Sequence, residues 1–269
     1  MPPIALLNLL SIGLVLIVAS ILIIRKPGDR RMEGLFLTAL LLFIMKFVDD
    51  LALTVVNRAI SIRYDQYIFC FDRLFGSPSF AMGQLFLRLP WFRNLSLYAY
   101  VLVPSVCLAL ASACFWQLPI RDAICCVRTI FLSCLLAYPL YMLLPVSGPR
   151  YAFPAFPFAA PDHLVPHLVS LRAVPNGVPS VHMTLAVLIL WFARPWKTGT
   201  VLASIFLALT VVATLGSGEH YFMDLLAAVP YALLVIYLGG YSSSASGVNE
   251  SKAQVREPEI RAQGTDFSF

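Results

Sequence analysis

The sequence predicts an all-α fold, a polytopic transmembrane helix bundle of about seven spans. Hydrophobic residues make up 59% of the 269-residue chain and charged residues only 12%, and the mean hydropathy is +0.82. Soluble domains carry about 25% charged residues, so this composition excludes an ordinary soluble protein. Apolar runs of about 20 residues, each long enough to cross the hydrocarbon core of a bilayer, recur along the chain.

Seven apolar runs bounded by charge, proline or glycine are the predicted spans. They cover approximately residues 4–24, 34–57, 96–118, 122–144, 179–195, 199–217 and 220–240. The second run holds the most polar residues, and very short turns join the last three runs. Together these runs define a predicted transmembrane domain over residues 1–241.

Two segments fall outside the predicted spans. Residues 58–95 mix aromatic residues with arginines and are too interrupted to cross a bilayer, so we expect an interfacial loop at headgroup depth. Such a loop either anchors the chain or admits a lipid substrate, and the composition fits both roles equally. Residues 242–269 are polar and poor in large aliphatic side chains, which predicts a disordered cytoplasmic tail.

The placement of charge predicts the orientation in the membrane. The formal net charge is +5, but the basic residues lie near helix ends and form no stripe, so no nucleic-acid partner is expected. With seven spans, ten basic residues fall on the side that includes the tail and seven on the other side. The positive-inside tendency therefore places the C-terminus in the cytoplasm, so that Ser180, His182 and His220 are expected to face outward. We assign the chain to the plasma (inner) membrane.

The start of the chain also bears on the number of spans. Residues 1–24 lack a basic segment before the apolar run, and the charges follow this run instead. A secretory signal peptide has the reverse arrangement, so we expect a retained first helix.

Polar residues at the mouths of the last spans are the candidate site residues. Ser180 and His182 open the fifth run and His220 opens the seventh, at the same predicted end of the bundle. His220 and Asp224 are spaced i, i+4, which puts them on one side of a helix, where the carboxylate can orient the imidazole. Taken alone, Ser180 also fits a helix cap, and the His–Asp pair also fits a structural contact between helices.

These residues resemble two motifs of the type-2 phosphatidic acid phosphatase superfamily. Its membrane branch includes lipid phosphate phosphatases, inositol phosphorylceramide synthases and sphingomyelin synthases. Pro179, Ser180 and His182 match the second motif, Pro-Ser-Gly-His. His220 and Asp224 match the end of the third motif, Ser-Arg-x5-His-x3-Asp. The resemblance covers roughly residues 96–240 and implies a six-helix phosphatase-like core.

The match departs from the family pattern in each motif. Val181 replaces the Gly of the second motif, and Ala213 and Thr214 occupy the Ser and Arg positions of the third. The first motif, Lys-x6-Arg-Pro, is reduced to GPRYAFP, in which Arg150 is the candidate cation. These departures resemble the inositol phosphorylceramide synthase-like branch more than phosphatases with complete motifs, and they leave the phosphate site one cation short.

The resemblance implies phosphoryl transfer through a phosphohistidine. His220, oriented by Asp224, would attack phosphorus, and His182 would protonate the leaving oxygen and then activate water or an alcohol. Ser180, the free amides at the start of its helix and the planar fork of Arg150 would bind phosphate oxygens. This chemistry requires no metal and no other cofactor. The expected partners are a lipid phosphate substrate and membrane lipids.

Other charged residues have weaker ties to the site. Arg172 could supply the missing cation, although a solvated loop charge is the favoured interpretation. Asp49 and Asp50 in the second span could form a layer around the phosphate site, but an ion pair with Lys46, buried in the membrane, is preferred. Glu219 is expected to be a solvated acid at a helix start.

Three functions remain in competition. A lipid phosphate phosphatase, with water as the acceptor, is narrowly preferred. A transferase that hands the phosphoryl headgroup to a lipid hydroxyl would share the phosphohistidine step and the same base. A transporter with a His/Asp proton relay ranks third, and it would tolerate changes at Ser180.

Overall fold

The computed structural model of the chain describes residues 3–25 and 28–240, with side chains from residue 12 onward. The predicted tail lies outside the described residues. Helices dominate this part of the chain, and its only strands are β1 (Ile62–Arg63) and β2 (Val169–Ser170), which pair in antiparallel register. The prediction of an all-α helical membrane bundle is confirmed.

The first two helices, α1 (Pro3–Arg25) and α2 (Arg30–Ala59), pack against each other. Asp29 caps α2, because its carboxylate accepts a hydrogen bond from the backbone N–H of Arg31 at 3.0 Å. Ile12 of α1 and Ala39 of α2 form a buried apolar cluster with Leu108. This cluster packs the pair against the later helix that contains Leu108.

The segment predicted as an interfacial loop, residues 58–95, is largely helical. After β1 it forms α3 (Asp65–Asp72), a 3-10 turn (Arg73–Phe75), α4 (Pro78–Arg88) and the start of α5 (Pro90–Val101). Prolines suit the first positions of α4 and α5, because an N–H there would have no helical partner. Each helix is shorter than the roughly 20 residues that cross a bilayer, so the apolar runs of the sequence do not reveal them. Their position at headgroup depth stays a prediction.

A bent pair of helices follows. α5 and α6 (Val103–Gln117) meet at an angle of 53° around Leu102. The helical segment that contains the third predicted run therefore begins earlier than predicted and is bent. Next come α7 (Ile120–Leu135), α8 (Ala137–Leu143) and the single turn α9 (Pro149–Ala152).

The last three helices match the last three predicted runs. They are α10 (Val181–Ala193), α11 (Lys197–Gly216) and α12 (Phe222–Leu238). Each starts or ends within a few residues of the expected bound, which is the usual uncertainty at helix ends.

By length and composition, the described residues contain two helical stretches able to cross a membrane. These are Ile120–Leu143 and Lys197–Gly216, and the bent pair of α5 and α6 would make a third. Ile12–Arg25, α10 and α12 are apolar but shorter. The helices occur in the order of the seven predicted runs, whereas the number of spans stays a prediction.

Contacts between helix ends bring the motif-bearing residues to one end of the bundle. The N–H of Ser180 donates to the carbonyl of Asp224 at 3.3 Å, which joins the starts of α10 and α12. The N–H of Arg150 donates to the carbonyl of Gly218 at 3.0 Å, just beyond α11. The end of α12 lies elsewhere, where the guanidinium of Arg128 on α7 donates to the carbonyl of Gly239.

α3 packs against the start of α12 through a buried acid. Asp72 is 1% exposed, and its carboxylate accepts a hydrogen bond from the backbone N–H of Met223 at 3.1 Å. This bond satisfies a donor that has no partner within α12. Burial raises the pKa of Asp72 to about 6, the Asp224 charge adds to the rise, and the hydrogen bonds from the α12 backbone oppose it.

Replacing Asp72 with Asn should remove a pH-dependent part of the stability. The folded chain holds the Asp72 proton more tightly than the unfolded chain, whose carboxyl has the ordinary pKa of 3.8. This contribution is therefore present at acid pH and is lost as the pH rises through about 6. At each pH, the quantity to compare is the difference in unfolding temperature between the wild type and Asp72→Asn. This difference should be smaller at pH 7.5 than at pH 5 by about 2 to 8 °C.

The measurement is a thermal unfolding series in detergent, with Asp162→Asn as the control. Asp162 is an exposed acid in the loop after α9, so this variant should follow the wild type at every pH. A difference between wild type and Asp72→Asn that stays constant with pH would contradict the assignment.

Candidate active site

His220 and Asp224 form the centre of the candidate site. Nδ1 of His220 lies 3.3 Å from Oδ2 of Asp224, and the two side chains are 1% and 0% exposed. A carboxylate can only accept hydrogen bonds, so Nδ1 carries the proton in the neutral ring. Nε2 then keeps a free lone pair, which is the state that a nitrogen nucleophile requires.

His220 does not lie in a helix, which corrects the expectation from the sequence. α12 begins at Phe222, and Tyr221 is its N-cap residue. Asp224 reaches the imidazole because its Oδ2 also accepts a hydrogen bond from the N–H of Tyr221 at 2.8 Å, which turns the carboxylate back along the chain. Oδ1 of Asp224 is buried and has no hydrogen-bond partner among the described residues.

Ser180 caps α10 and is fully buried. Its hydroxyl oxygen accepts a hydrogen bond from the N–H of Met183 at 3.4 Å, and its carbonyl accepts one from the N–H of Thr184 at 2.9 Å. The preceding carbonyl, that of Pro179, accepts a hydrogen bond from the hydroxyl of Tyr141 at 3.3 Å. The helix start is thus fixed on both sides, with its N-terminal amides at the same end of the bundle as His220.

His182 lies in the first turn of α10, and its ring stacks on an aromatic ring that the sequence analysis missed. The centroids of His182 and Tyr100 are 3.9 Å apart, and the ring planes differ by 16°. Tyr100 stands near the end of α5, just before the bend around Leu102. Stacking restricts the rotation of the imidazole, so Tyr100 sets the direction of its two nitrogens.

Arg150 lies in α9 with its side chain 61% exposed. Its backbone is held by the hydrogen bond to Gly218, and its guanidinium Nη1 lies 3.5 Å from Oε1 of Glu219. Gly148, two residues earlier, has a φ of +111°, and a Cβ there would lie 2.3 Å from the carbonyl oxygen of Glu219. The loop carrying Arg150 therefore packs backbone to backbone against the segment that leads to His220.

Glu219 is partly buried and paired with neighbouring side chains, whereas the sequence predicted a solvated acid at a helix start. Its side chain is 22% exposed, and both carboxylate oxygens accept hydrogen bonds from the hydroxyl of Tyr151, at 3.0 and 3.1 Å. Burial, followed by the charge of Glu219, raises the pKa of Tyr151 to about 12, so this hydroxyl stays protonated and donates. The position of Glu219 directly before His220 was the only indication in the sequence of this arrangement. Sequence spacing could not predict that Glu219 contacts Arg150.

The position of the missing third-motif arginine carries no charge. Ala213 and Thr214 are both buried. The hydroxyl of Thr214 donates within its own helix, to the carbonyls of Thr210 at 2.9 Å and Val211 at 2.8 Å. Thr214 therefore supplies no cation, and it fills its position as an internally satisfied helix residue.

The other candidate residues have partners away from Arg150. Lys46 and Asp50 form the predicted ion pair at 2.6 Å, but their side chains are 55% and 65% exposed rather than buried in the protein. Asp49 accepts a hydrogen bond from the hydroxyl of Tyr138 on α8 at 2.9 Å. Arg172 is exposed, and its carbonyl accepts one from the side chain of Asn57 at 3.4 Å. Whether Asp49, Asp50 and Arg172 form a layer around a bound phosphate stays a prediction.

A buried polar layer from residues 58–95 lies against the site, and sequence reasoning missed it. Asp65 accepts hydrogen bonds from the N–H groups of Ser147 and Gly148 and from the hydroxyl of Tyr221. The hydroxyl of Ser79 on α4 donates to the carbonyl of His220 at 3.0 Å. Burial raises the pKa of Asp65 to about 6, although these donors oppose the rise.

Metal binding has no candidate within residues 3–25 and 28–240. In these ranges no group of three or more His, Cys, Asp or Glu side chains is arranged to hold an ion. The site combines a buried, carboxylate-oriented imidazole, a second imidazole, a helix start and a guanidinium.

Comparison with known proteins agrees with these motifs. A family model described as the PAP2 superfamily matches residues 66–238, which is more than half of the chain. No curated protein and no solved structure gives a significant match. The matched region contains Arg150, Ser180, His182, His220 and Asp224. It also contains Ser79 of the polar layer, and it begins one residue after Asp65. The chain belongs to the PAP2 superfamily.

Proposed function

We propose that the chain is a membrane-embedded lipid phosphate phosphatase that acts through a phosphohistidine intermediate. The observation that carries this proposal is the buried contact between Nδ1 of His220 and Asp224, next to the capped start of α10. Membership of the PAP2 superfamily supports phosphatase-like chemistry. The apolar helices support a substrate that resides in the membrane.

In the first step, Nε2 of His220 attacks phosphorus, and the bond between phosphorus and the lipid oxygen breaks. His182 donates a proton to the departing alkoxide, which leaves as a lipid alcohol. Asp224 stabilises the positive charge that develops on the attacking imidazole. In the second step, His182 takes a proton from water, whose oxygen attacks phosphorus, and the bond to His220 breaks to release inorganic phosphate.

The phosphate itself binds to donors from two elements. The guanidinium of Arg150 is 61% exposed and offers two parallel N–H groups to the phosphate oxygens. The hydroxyl of Ser180 and the amides at the start of α10 bind the oxygens on the other side, where the helix dipole favours negative charge. Tyr100 keeps the His182 ring at the angle from which it can reach the leaving oxygen.

The active site faces outward in this proposal, and the C-terminus is cytoplasmic, in the plasma (inner) membrane. The unequal distribution of basic residues, ten against seven, supports this orientation. The contacts of residues 58–95 with Tyr221 and His220 support a substrate that approaches along this segment.

A transferase is the second candidate, and a specific observation favours it. Position 214 supplies no cation, and Glu219 adds a negative charge beside Arg150. A site with this reduced positive potential suits a phosphodiester headgroup with one negative charge better than a doubly charged monoester. The phosphoryl headgroup would then pass from His220 to a lipid hydroxyl instead of water.

Replacing either imidazole should abolish turnover. We expect His220→Ala to leave no measurable activity and His182→Ala to lower kcat at least about a hundredfold, because each removes a separate chemical role. The measurement uses the full chain in lipid vesicles and a panel of labelled lipid phosphates, with and without lipid alcohols. Released phosphate identifies a hydrolase, and a labelled phosphoester of the added alcohol identifies a transferase.

His163→Ala is the matched control, since this exposed loop histidine has no place in the mechanism. Its turnover should equal that of the wild type. Full activity of both His182→Ala and His220→Ala would rule out the mechanism. If the protein instead couples transport to protons and forms no labelled phosphohistidine, it is the transporter.

Replacing Glu219 with Gln should strengthen phosphate binding. Gln keeps the size and the hydrogen bond to Tyr151, but it removes the charge that competes for Arg150. We expect KM to fall by about two- to fivefold at low salt, with a smaller change at high salt. The measurement is KM at several salt concentrations, with Glu33→Gln as the control, since Glu33 lies in the first turn of α2. An unchanged or higher KM in Glu219→Gln would contradict this role.

A further inference from the structure

Asp65 lies where three separate parts of the chain meet. It is the first residue of α3 and is fully buried. The residue before it, Tyr64, is fixed by a hydrogen bond from its N–H to the carbonyl of Pro145 at 3.0 Å. The backbone at the start of α3 is therefore tied to the segment that follows α8.

The carboxylate of Asp65 faces hydrogen-bond donors from two functional segments. Oδ1 accepts from the N–H of Gly148 at 2.8 Å, and Oδ2 accepts from the N–H of Ser147 at 3.0 Å. Oδ1 also accepts from the hydroxyl of Tyr221 at 3.1 Å. Ser147 and Gly148 lead into Arg150, and Tyr221 directly follows His220.

Arg63 holds the same loop from the other side. It is fully buried, and its Nε donates to the hydroxyl of Ser147 at 3.1 Å while its Nη2 donates to the carbonyl of Ala173 at 2.8 Å. The positive charge of Arg63 attracts the negative charge of the Asp65 carboxylate. A buried carboxylate with a nearby guanidinium and three donors is well compensated, so its geometry is fixed.

We propose that Asp65 is a positioning residue for phosphoryl transfer. It fixes the loop that carries Arg150 at a set distance from the segment that carries His220. Phosphate bound by Arg150 and Ser180 then lies in line with the nucleophile. This inference rests on the proposed function and adds a residue outside the matched motifs.

The role predicts a specific kinetic pattern. Arg150 and Ser180 still bind phosphate when Asp65 is replaced, so KM should change little. The distance between phosphorus and His220 is no longer fixed, and a displacement of about 1 Å is enough to lower the rate about a hundredfold. A general loss of folding would instead lower the amount of active protein and leave the kcat of the folded fraction intact.

The test compares Asp65→Asn, Tyr221→Phe and the double variant in vesicles, with the number of folded sites determined in each sample. We expect each single variant to lower kcat about 10- to 100-fold, with KM within about threefold of wild type. The double variant should stay within about threefold of the more impaired single variant, because both changes act on one shared hydrogen bond. Asn leaves only a neutral, weaker acceptor, and Phe removes the donor. Asp65→Glu, which keeps the carboxylate, should recover part of the lost rate.

Asp72→Asn is the matched control. Asp72 is also a buried acid of α3 that holds the start of α12. It accepts hydrogen bonds from the backbone N–H groups of Phe222 and Met223 and not from the Arg150 loop or Tyr221. Its kcat should stay within about threefold of wild type. An equal fall in kcat for Asp72→Asn would show a general loosening of α12 and would overturn the proposal.

The remaining outcomes separate this inference from the proposed function. Wild-type protein with no turnover of any lipid phosphate would overturn the proposed function together with the role of Asp65. Active wild type with an unchanged kcat in both Asp65→Asn and Tyr221→Phe would overturn the role of Asp65 alone. If Asp65→Asn does not fold, Tyr221→Phe still decides, since it removes one hydroxyl and keeps the ring.

Discussion

A carboxylate buried away from water has to be surrounded by hydrogen-bond donors, and this constraint organises the whole site end of the bundle. The carboxylate of Asp224 accepts hydrogen bonds from the imidazole of His220 and from the backbone N–H of Tyr221. Asp65 does the same for the loop before Arg150 and for the hydroxyl of Tyr221. Because Tyr221 touches both acids, the two arrangements form one connected unit.

The helices supply the fixed ends between which this unit forms. α10 and α12 start side by side through the bond between Ser180 and Asp224, and the loop after α8 reaches the end of α11 through Arg150 and Gly218. Apolar burial between helices sets these positions, and the polar contacts then select one arrangement of the loops. Chemistry in such a site depends on separations that no single helix defines.

The sequence predicted the parts of this protein that follow from periodicity and local spacing. Composition and apolar runs were enough for the helical bundle, and the His220 and Asp224 spacing predicted their contact, although not the nonhelical backbone at His220. Long-range contacts could not be predicted from spacing. The stacking of Tyr100 on His182 and the hydrogen bond from the N–H of Gly148 to Asp65 each join residues more than 80 positions apart. Glu219 was misplaced for the same reason, because its partners Arg150 and Tyr151 come from a different loop.

The two glycines where the Arg150 loop meets the end of α11 have a consequence for how this site can diversify. Gly148 and Gly218 both have positive φ, and a methyl group at Gly218 would lie 2.6 Å from the ring of Phe156 and 2.9 Å from Cβ of Arg150. Neither glycine carries a reactive group, yet neither position has room for another residue. The surface of this site can therefore vary through the side chains at 150, 151 and 219, while the backbone crossing beneath them tolerates almost no substitution.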